Sequence, residues 1–260
     1  MGQLPSGQEE TLERLINQYS DVLNKKLGLT HIMEYEIQLL DHTPVRLTPY
    51  RPSPPKMQYL QEHIKILLWD GVIEPSFSNY SSPMFLVPKP GGAYWALVDF
   101  RLLNKRIVIE SVLLADIHSA FHWFAKAKYF TKLDLNQAYH QIPLPQSSKP
   151  LTAFCMNWNP YLYTRVPFGL ATDAQVLTRL LDYMFQDLKF DIVYHYLDDV
   201  VIYSESFETH HEHICLVSDR LRQAGLMVKP EKVVFANQEI AFLGIWSRQQ
   251  ECVSTPKARG

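Results

Sequence analysis

The sequence predicts an α+β fold built around antiparallel sheets, and three observations indicate this class. Segments rich in β-branched and aromatic residues occur as closely spaced pairs joined by short turns, which is typical of hairpins. Segments with apolar residues every three or four positions, typical of helices, are interspersed among those pairs. With 260 residues and 47% hydrophobic content, the chain is long enough to bury one large core or two smaller ones.

Composition limits the classes of function. The formal net charge is −2, which excludes an overall basic surface, so any binding of nucleic acid must rest on local patches. No apolar run reaches the roughly 18 residues of a membrane-spanning helix, and no transmembrane segment is expected. The three cysteines, Cys155, Cys215 and Cys252, are far apart and odd in number, which favours an intracellular, reducing compartment.

The first third of the chain alternates helix and extended structure. Apolar residues recur every three or four positions over 9–23, which predicts an amphipathic helix. Five prolines interrupt 41–55, so this stretch is predicted to be an extended connector. Pro55 suits the first turn of a second helix, which is predicted to end at Gly71.

Strands predominate beyond that helix. Strands over 83–87 and 94–99 are predicted to form a hairpin with Lys89 at its turn. The polar and basic residues over 99–106 fit either a solvated surface or contacts with phosphate groups. The remaining patterns predict, in order, a helix over 117–124, a strand over 129–134, hairpin strands over 151–156 and 161–166, helices over 167–188 and 207–225, and strands over 233–235 and 240–246. Three histidines on the last helix are predicted to be surface residues: His210, His211 and His213.

The segment from Tyr194 to Tyr203 carries the strongest chemical signal. Its β-branched and aromatic residues predict two strands joined by a turn that holds Asp198 and Asp199. Adjacent carboxylates repel one another, and a divalent cation would compensate their charge. For an Asp-Asp pair taken alone, a solvated turn is the commoner explanation. Asp134 ends a strand of its own; if the strands are neighbours, the three carboxylates can hold two divalent ions roughly 4 Å apart.

Seven short motifs follow one another along the chain: Gly71-Val72-Ile73-Glu74-Pro75-Ser76, Ser82-Pro83, Val98-Asp99-Phe100-Arg101 with Leu103-Asn104-Lys105, Lys132-Leu133-Asp134-Leu135 with Ala138-Tyr139-His140-Gln141-Ile142, Pro167-Phe168-Gly169-Leu170, Tyr196-Leu197-Asp198-Asp199, and Phe242-Leu243-Gly244. Each motif alone is weak, but seven in order over some two hundred residues are not expected by chance. From about Tyr35 to Ser247 the chain resembles the fingers and palm of reverse transcriptases of long-terminal-repeat retroelements, of the Ty3/gypsy type and their retroviral relatives.

The resemblance implies a right-hand polymerase architecture, with fingers and a palm whose antiparallel sheet is backed by helices. It predicts an N-terminal helix and linker over 1–40, mainly fingers over 41–130, mainly palm over 131–250 with a return to the fingers at about 145–167, and a tail over 251–260. The thumb and the ribonuclease H domain of the family are expected to be absent from the chain. A homo- or hetero-oligomer, or further polyprotein domains, would then have to supply them.

The resemblance also implies three sets of site residues. The catalytic carboxylates, which would bind two Mg²⁺ ions or Mn²⁺ beside the main chain of Leu135, are Asp134, Asp198 and Asp199. The incoming deoxynucleoside triphosphate (dNTP) would contact Lys89, Leu135, Tyr139, Phe168 and Gly169. The RNA or DNA template and its primer would contact Asp99, Arg101, Asn104, Leu197, Phe242, Leu243 and Gly244.

Four positions carry more specific expectations. Tyr139 would close the sugar pocket and reject a 2′-hydroxyl, and Lys232 lies near the position of a lysine proposed as general acid for pyrophosphate. Trp95 stands where the family has an arginine that binds the triphosphate, and tryptophan cannot replace that charge. Asp173 either adds negative charge near the substrate or caps the following helix.

Two functions follow from these observations. The first is a reverse-transcriptase-like nucleotidyltransferase, an RNA-directed DNA polymerase that synthesises DNA from dNTPs by a two-metal mechanism. The alternative is a degenerate or co-opted relative that binds nucleic acid or a partner without polymerising, which Trp95, Asp173 and the expected absence of the thumb motivate. In the first case Asp198→Asn abolishes primer extension, whereas in the second template binding is indifferent to Asp134→Asn.

Overall fold

The computed structural model describes residues 5–110, 123–242, 245–248 and 251–254. The chain forms two compact units, each assembled from separate segments. The first unit contains the described residues within 1–28, 112–136 and 177–260, and the second contains those within 29–111 and 137–176. None of the helices in these described residues is both long and apolar enough to cross a membrane.

The described helices are α1 (Ser6–Gln18), α2 (Pro54–Trp69), α3 (Arg101–Asn104), α4 (Asp173–Met184) and α5 (Phe207–Ala224). The described strands are β1 (Ile73–Pro75), β2 (Ser82–Pro88), β3 (Tyr94–Val98), β4 (Tyr129–Asp134), β5 (Phe154–Met156), β6 (Asn159–Tyr163), β7 (Val193–Tyr196), β8 (Asp199–Ser204), β9 (Val234–Asn237), β10 (Glu239–Phe242), β11 (Ile245–Arg248) and β12 (Glu251–Ser254). Short 3-10 turns lie at Ala138–Gln141, Lys149–Thr152 and Pro230–Lys232.

The second unit is built on a five-stranded sheet with the order β1-β6-β5-β2-β3, in which only β2 and β5 run parallel. Helix α2 begins with two prolines, whose missing amide donors cost nothing in a first helical turn. It buries Leu60, Ile64 and Leu67, which recur at three and four residues and so share one face. Gly71 follows the helix at φ 63°, a conformation that glycine adopts without strain.

The first unit is built on a four-stranded antiparallel sheet with the order β7-β8-β4-β9. Successive side chains along each strand point to opposite faces of this sheet. One face carries an aromatic and aliphatic cluster of buried residues: Phe124, Phe130, Tyr194, Val201, Tyr203 and Ile240. Phe130, Lys132 and Asp134 follow one another at every second position of β4, so their side chains lie on the same face. This face is apolar at Phe130 and charged at Lys132 and Asp134, at the end of the strand. The sheet thus presents Asp134 next to an apolar core.

Most predicted elements are present, and the differences are local. The strand over 129–134 has the predicted bounds, and the connector over 41–53 contains no helix. The strand predicted over 151–156 is shorter, because Pro150 lies in a 3-10 turn that precedes β5. The segment predicted as one strand over 240–246 instead contains parts of β10 and β11. Most of the helix predicted over 117–124 lies outside the described residues.

The prediction that His210 is a surface residue is wrong. The side chain is fully buried, and its ring bonds Thr131 Oγ1 at 2.8 Å through Nε2 and Ser204 Oγ at 2.8 Å through Nδ1. His213, three residues further along α5, also reaches Ser204 Oγ, at 2.7 Å. The adjacency of His210 and His211 does not prevent His210 and His213 from sharing the buried face of the helix. Burial and the charge of His213 lower the pKa of His210 to about 3.

Replacement of His210 by alanine is expected to destabilise the protein by about 3 kcal/mol. The substitution leaves a cavity and removes a partner from the hydroxyls of Thr131 and Ser204, both of which are buried in the sheet. Urea unfolding followed by circular dichroism would measure the difference. The matched control is His211→Ala, because this neighbour is partly exposed and its loss should change stability by less than about 0.5 kcal/mol. Equal effects of both substitutions would contradict the role of the buried network.

Candidate active site

The carboxylates of Asp134, Asp198 and Asp199 lie at one end of the four-stranded sheet. Asp134 is the last residue of β4, and its register partner on β8 is Asp199. Asp198 lies immediately before Asp199, in the tight turn that joins β7 to β8. Tyr196 at the end of β7 pairs with Asp199. The turn residues are therefore Leu197 and Asp198, and the prediction that Asp199 also lies in the turn is wrong, because its pairing makes it the first residue of β8.

The hairpin turn is strained at Leu197, whose φ is 55°. A two-residue hairpin needs a positive φ in its turn to match the twist of the strands, and a leucine adopts that conformation at a cost of order 1–3 kcal/mol. The main chain of Leu135 ties this turn to β4, since its N–H donates to the carbonyl of Asp198 at 3.5 Å. The geometry thus fixes Asp198 beside the end of β4.

Two lysines neutralise two of the three carboxylates. Lys132 Nζ lies 2.7 Å from Asp199 Oδ2, and Lys232 Nζ lies 2.7 Å from Asp134 Oδ2. The bond to Asp134 is the largest cause of the raised pKa of Lys232. Partial burial raises the pKa of Asp198, as do the negative charges of Asp199 and Asp134. The end of the sheet therefore concentrates negative charge that its own cations only partly compensate.

The donor set fits a hard divalent cation, since carboxylate oxygens are the ligands that Mg²⁺ and Mn²⁺ prefer. Burial is the largest cause of the raised pKa of Asp198, and the negative charges of Asp199 and Asp134 add to it; a bound cation would offset this repulsion. Within the described parts of the chain, however, no three His, Cys, Asp or Glu side chains are grouped as they would be around an ion. Asp134 and Asp199 are instead held in ion pairs with Lys232 and Lys132.

In the second unit, Gly169 and Asn104 connect two segments that the sequence predicts to contact the substrate. The amide of Asn104 donates to the carbonyl of Gly169 at 2.9 Å and accepts from the N–H of Ala171 at 2.9 Å. Gly169 has a φ of 97°, which a side chain would strain. Its N–H donates to Asp173 Oδ2 at 3.1 Å, while Oδ1 of the same carboxylate accepts from the N–H of Ala174. Asp173, the first residue of α4, thus satisfies one main-chain donor of the helix and one of the segment that precedes it.

Tyr139 and Phe168 form an aromatic pair in the same unit, with ring centroids 5.8 Å apart. Tyr139 lies in a 3-10 turn that follows Gln137, whose φ of 46° redirects the chain after β4. The ring of Phe168 is about half exposed. It also lines a small cavity with Gly169 and Asn104, so residues predicted to bind nucleotide and residues predicted to bind template share one surface of this unit.

Asp99 lines this cavity together with Arg101, to which it is hydrogen-bonded. It is 6% exposed and accepts from Arg101 Nε at 2.8 Å, from Arg101 Nη2 at 2.7 Å and from the Tyr50 hydroxyl at 3.0 Å. The bonds from Arg101 are the largest cause that lowers the pKa of Asp99 to about 2. The paired guanidinium itself is largely exposed, so Arg101 remains accessible to an anionic ligand.

Replacement of Asp99 by asparagine should destabilise the protein by about 1 kcal/mol at pH 7, a value reduced for the solvent exposure of Arg101. The folded-state pKa of about 2 lies below the unfolded-state value of 3.8. The carboxylate therefore contributes its full stabilisation above about pH 4 and loses it as the pH falls towards 2. Urea unfolding at pH 7 and pH 3 should show a smaller difference between the two proteins at the lower pH.

The control for Asp99→Asn is Glu62→Gln, which removes an exposed carboxylate from α2 of the same unit. Its effect should be within about 0.5 kcal/mol at either pH. A difference between wild type and Asp99→Asn that persists unchanged at pH 3 would contradict the role given to the charge.

Lys89 and Trp95 lie together at the tip of the β2–β3 hairpin. The N–H of Lys89 donates to the carbonyl of Ala93 at 2.7 Å and closes the turn, as the sequence predicts. Its Nζ lies 5.2 Å from the centroid of the Trp95 ring, which is half exposed. This is the geometry of a cation–π contact. The indole thus engages the lysine that the sequence assigns to the triphosphate.

The structure also adds residues that the sequence analysis did not single out. Lys132 belongs to the Lys132-Leu133-Asp134-Leu135 motif, but the sequence assigned it no function. Because it lies two residues before Asp134 on a predicted strand, both side chains could have been placed on the same face of the sheet. Nothing in the sequence pairs Tyr50 with Asp99. Among the remaining predicted site residues, Phe242 ends β10, whereas Leu243 and Gly244 lie outside the described residues.

Comparisons with known proteins agree with this architecture. The chain is 33% identical over 249 residues to the retrovirus-related Pol polyprotein from transposon opus of Drosophila melanogaster, covering 92% of this chain and 25% of the polyprotein. It is 32% identical over 240 residues to the polyprotein from transposon gypsy of the same species, covering 90% of this chain and 23% of that protein. The chain therefore spans about a quarter of the length of these relatives.

Solved structures confirm the predicted fold. A foamy viral protease-reverse transcriptase in complex with double-stranded DNA aligns with a TM-score of 0.89 at 22% identity, over 97% of this chain and 45% of the other. The prototype foamy virus protease-reverse transcriptase aligns with a TM-score of 0.83 at 27% identity, over 94% of this chain and 33% of the other. Residues 87–247 match the family described as reverse transcriptase (RNA-dependent DNA polymerase). Since the match covers more than half of the sequence, the chain belongs to the reverse transcriptase family, as its motifs predict.

Proposed function

We propose that this chain contains the fingers and palm of an RNA-directed DNA polymerase that extends a primer on an RNA or DNA template with dNTPs. One observation carries the proposal: Asp134 and Asp199 are register partners, and Asp198 stands beside them in the hairpin turn. Three carboxylates at one end of a sheet are the ligands that a pair of divalent ions needs for in-line nucleotidyl transfer.

Each carboxylate has a part in this proposal. Asp134, Asp198 and Asp199 would hold two Mg²⁺ ions, or Mn²⁺, which when bound polarise the phosphate and lower the pKa of the attacking hydroxyl. Lys232 contacts Asp134 at 2.7 Å, so its ammonium would stand beside the ions and could offer a positive charge or a proton to the leaving pyrophosphate. The buried stem of the hairpin, with Val200, Val201 and Ile202 fully enclosed, holds the carboxylates in register.

The second unit supplies groups for the substrate. Tyr139 and Phe168 present an aromatic surface that would pack against the sugar of the nucleotide, where Tyr139 would exclude a 2′-hydroxyl. Arg101 and Asn104 line the cavity with Gly169 and would contact the template strand. Lys89 at the hairpin tip would meet the triphosphate, although its ammonium lies over Trp95.

Primer extension on a defined template tests the proposal. The purified chain, a DNA primer annealed to an RNA template and Mg²⁺ should give products whose length follows the template sequence when one dNTP is omitted. Chelation of the metal should stop the reaction. Absence of extension in both Mg²⁺ and Mn²⁺, by folded protein that binds the primed template, would contradict polymerase activity of this chain.

The contact between Lys89 and Trp95 favours a second candidate function, a relative that retains the fold and binds nucleic acid or a protein partner without polymerising. Trp95 stands in place of the family's arginine, and the lysine beside it is engaged by the indole. This candidate predicts template binding that weakens steeply with salt and is unchanged by Asp134→Asn. Filter binding at 50 mM and 200 mM salt, combined with the extension assay, would separate the two functions.

A further inference from the structure

We propose that Lys132 competes with divalent cations for Asp199 and keeps their affinity low until a nucleotide arrives. This inference rests on the proposed function, because it takes Asp199 as a ligand of the ion. It concerns a lysine to which neither the sequence motifs nor the fold comparison assigns a role. The contact that carries it is the ion pair between Lys132 Nζ and Asp199 Oδ2 at 2.7 Å.

The strand geometry builds this ion pair into the sheet. Lys132 lies on β4 opposite Val201, and Asp199 is two residues away from Val201 on β8, so the two side chains are diagonal neighbours on one face. Thr131 and Leu133 on either side of Lys132 are buried on the other face of the strand. The backbone of Lys132 therefore has no freedom to withdraw, and the ammonium can leave Asp199 only by a change of rotamer.

Lys232 differs in each of these respects. It comes from a 3-10 turn rather than a central strand, and its side chain is 53% exposed, against 26% for Lys132. An exposed lysine on a turn can swing into solvent at little cost, whereas Lys132 packs along the sheet. An ion that binds Asp199 therefore either displaces the ammonium of Lys132 or binds beside it against charge repulsion.

Charge balance gives the functional consequence. When fully ionised, the three carboxylates with Lys132 and Lys232 carry a single net negative charge. A divalent ion entering this site meets an ammonium beside one of its ligands, and repulsion between the two lowers its affinity. A nucleotide triphosphate brings several negative charges, which offset both lysines. The free protein should therefore bind Mn²⁺ weakly, and the ion should enter with the nucleotide.

Binding of Mn²⁺ in the absence of nucleotide tests this inference, measured by electron paramagnetic resonance of the unbound ion. Lys132→Met should bind Mn²⁺ about tenfold more tightly than wild type, because it retains the aliphatic stem and removes the charge. Lys128→Met is the matched control, since it removes an exposed lysine just before the same strand and should leave the affinity unchanged. Lys132→Gln gives a second variant if the methionine protein folds poorly.

Thermal unfolding with and without Mn²⁺ provides a second readout, because tighter binding gives a larger rise in Tm. Equal affinities of wild type, Lys132→Met and Lys132→Gln would overturn the inference. The proposed metal site would still stand if Asp199→Asn weakens binding in each background. Failure of Mn²⁺ to bind to Lys132→Met and Lys132→Gln would overturn the inference. Binding of Mn²⁺ that Asp199→Asn leaves unchanged, both without and with dNTP, would overturn the proposed metal site as well.

Discussion

Replacement of Asp198 by asparagine is expected to reduce primer extension by at least about 10³-fold, equivalent to roughly 4 kcal/mol of transition-state stabilisation. The amide keeps the size of the side chain and removes the charge that would bind the ion. Because Asp198 lies in the turn and outside the paired strands, the substitution should leave folding intact. Relief of its repulsion with Asp199 and Asp134 should even stabilise the metal-free protein slightly.

Single-turnover incorporation of one nucleotide on a primed template would measure this effect. Asp191→Asn is the control, since Asp191 is an exposed residue two positions before β7 in the same unit. It should retain the wild-type rate. A rate for Asp198→Asn within tenfold of wild type would contradict its role as a metal ligand.

Replacement of Trp95 by arginine is expected to lower the KM for dNTP about tenfold with little change in kcat. The guanidinium would add a charge-assisted hydrogen bond to the triphosphate, worth about 1.5 kcal/mol. It would also release Lys89 from its position over the indole, 5.2 Å from the ring centroid. Steady-state kinetics of single-nucleotide incorporation, together with calorimetry of dNTP binding to the complex with primed template, would measure the change.

Trp158→Arg is the control for this substitution. Trp158 is also an exposed tryptophan at a hairpin turn of the second unit, between β5 and β6, so the variant carries the same added charge at a different position. An equal effect of both variants would indicate general attraction of the anionic substrate instead of a specific contact. No effect of Trp95→Arg would show that the β2–β3 hairpin does not meet the triphosphate.

The fold was largely predictable because its local patterns are strong. The β-branched and aromatic composition of the run over 193–204 predicts the strands β7 and β8, and the strand predicted over 129–134 has the observed bounds. Hairpin geometry predicts the pairing of β7 with β8, whereas the pairing of Asp134 with Asp199 joins strands that are distant in sequence and was expected only if these strands are neighbours. Parallel pairing of β2 with β5 was not predictable in this way, because it joins segments about seventy residues apart.

The site was predictable in its residue types but not in its contacts. Strand alternation assigns Lys132 and Asp134 to one face, yet which lysine pairs with which carboxylate depends on the register between β4 and β8. For Asp173 the sequence allows either a helix cap or a charge near the substrate, and the structure shows its carboxylate accepting hydrogen bonds from the N–H groups of Gly169 and Ala174. His210 was mispredicted because the buried face of α5 is set by partners on β4 and β8, which are distant in sequence.

The central claim is that Asp134, Asp198 and Asp199 bind the divalent ions of a nucleotidyltransferase. The most direct measurement is anomalous diffraction from crystals of the chain with primed template, dNTP and Mn²⁺. Anomalous peaks are expected within coordination distance of Asp134 and of the hairpin carboxylates, and these peaks should be lost in Asp198→Asn. Ordered nucleotide without any Mn²⁺ peak at the end of β4 and β8 would contradict it.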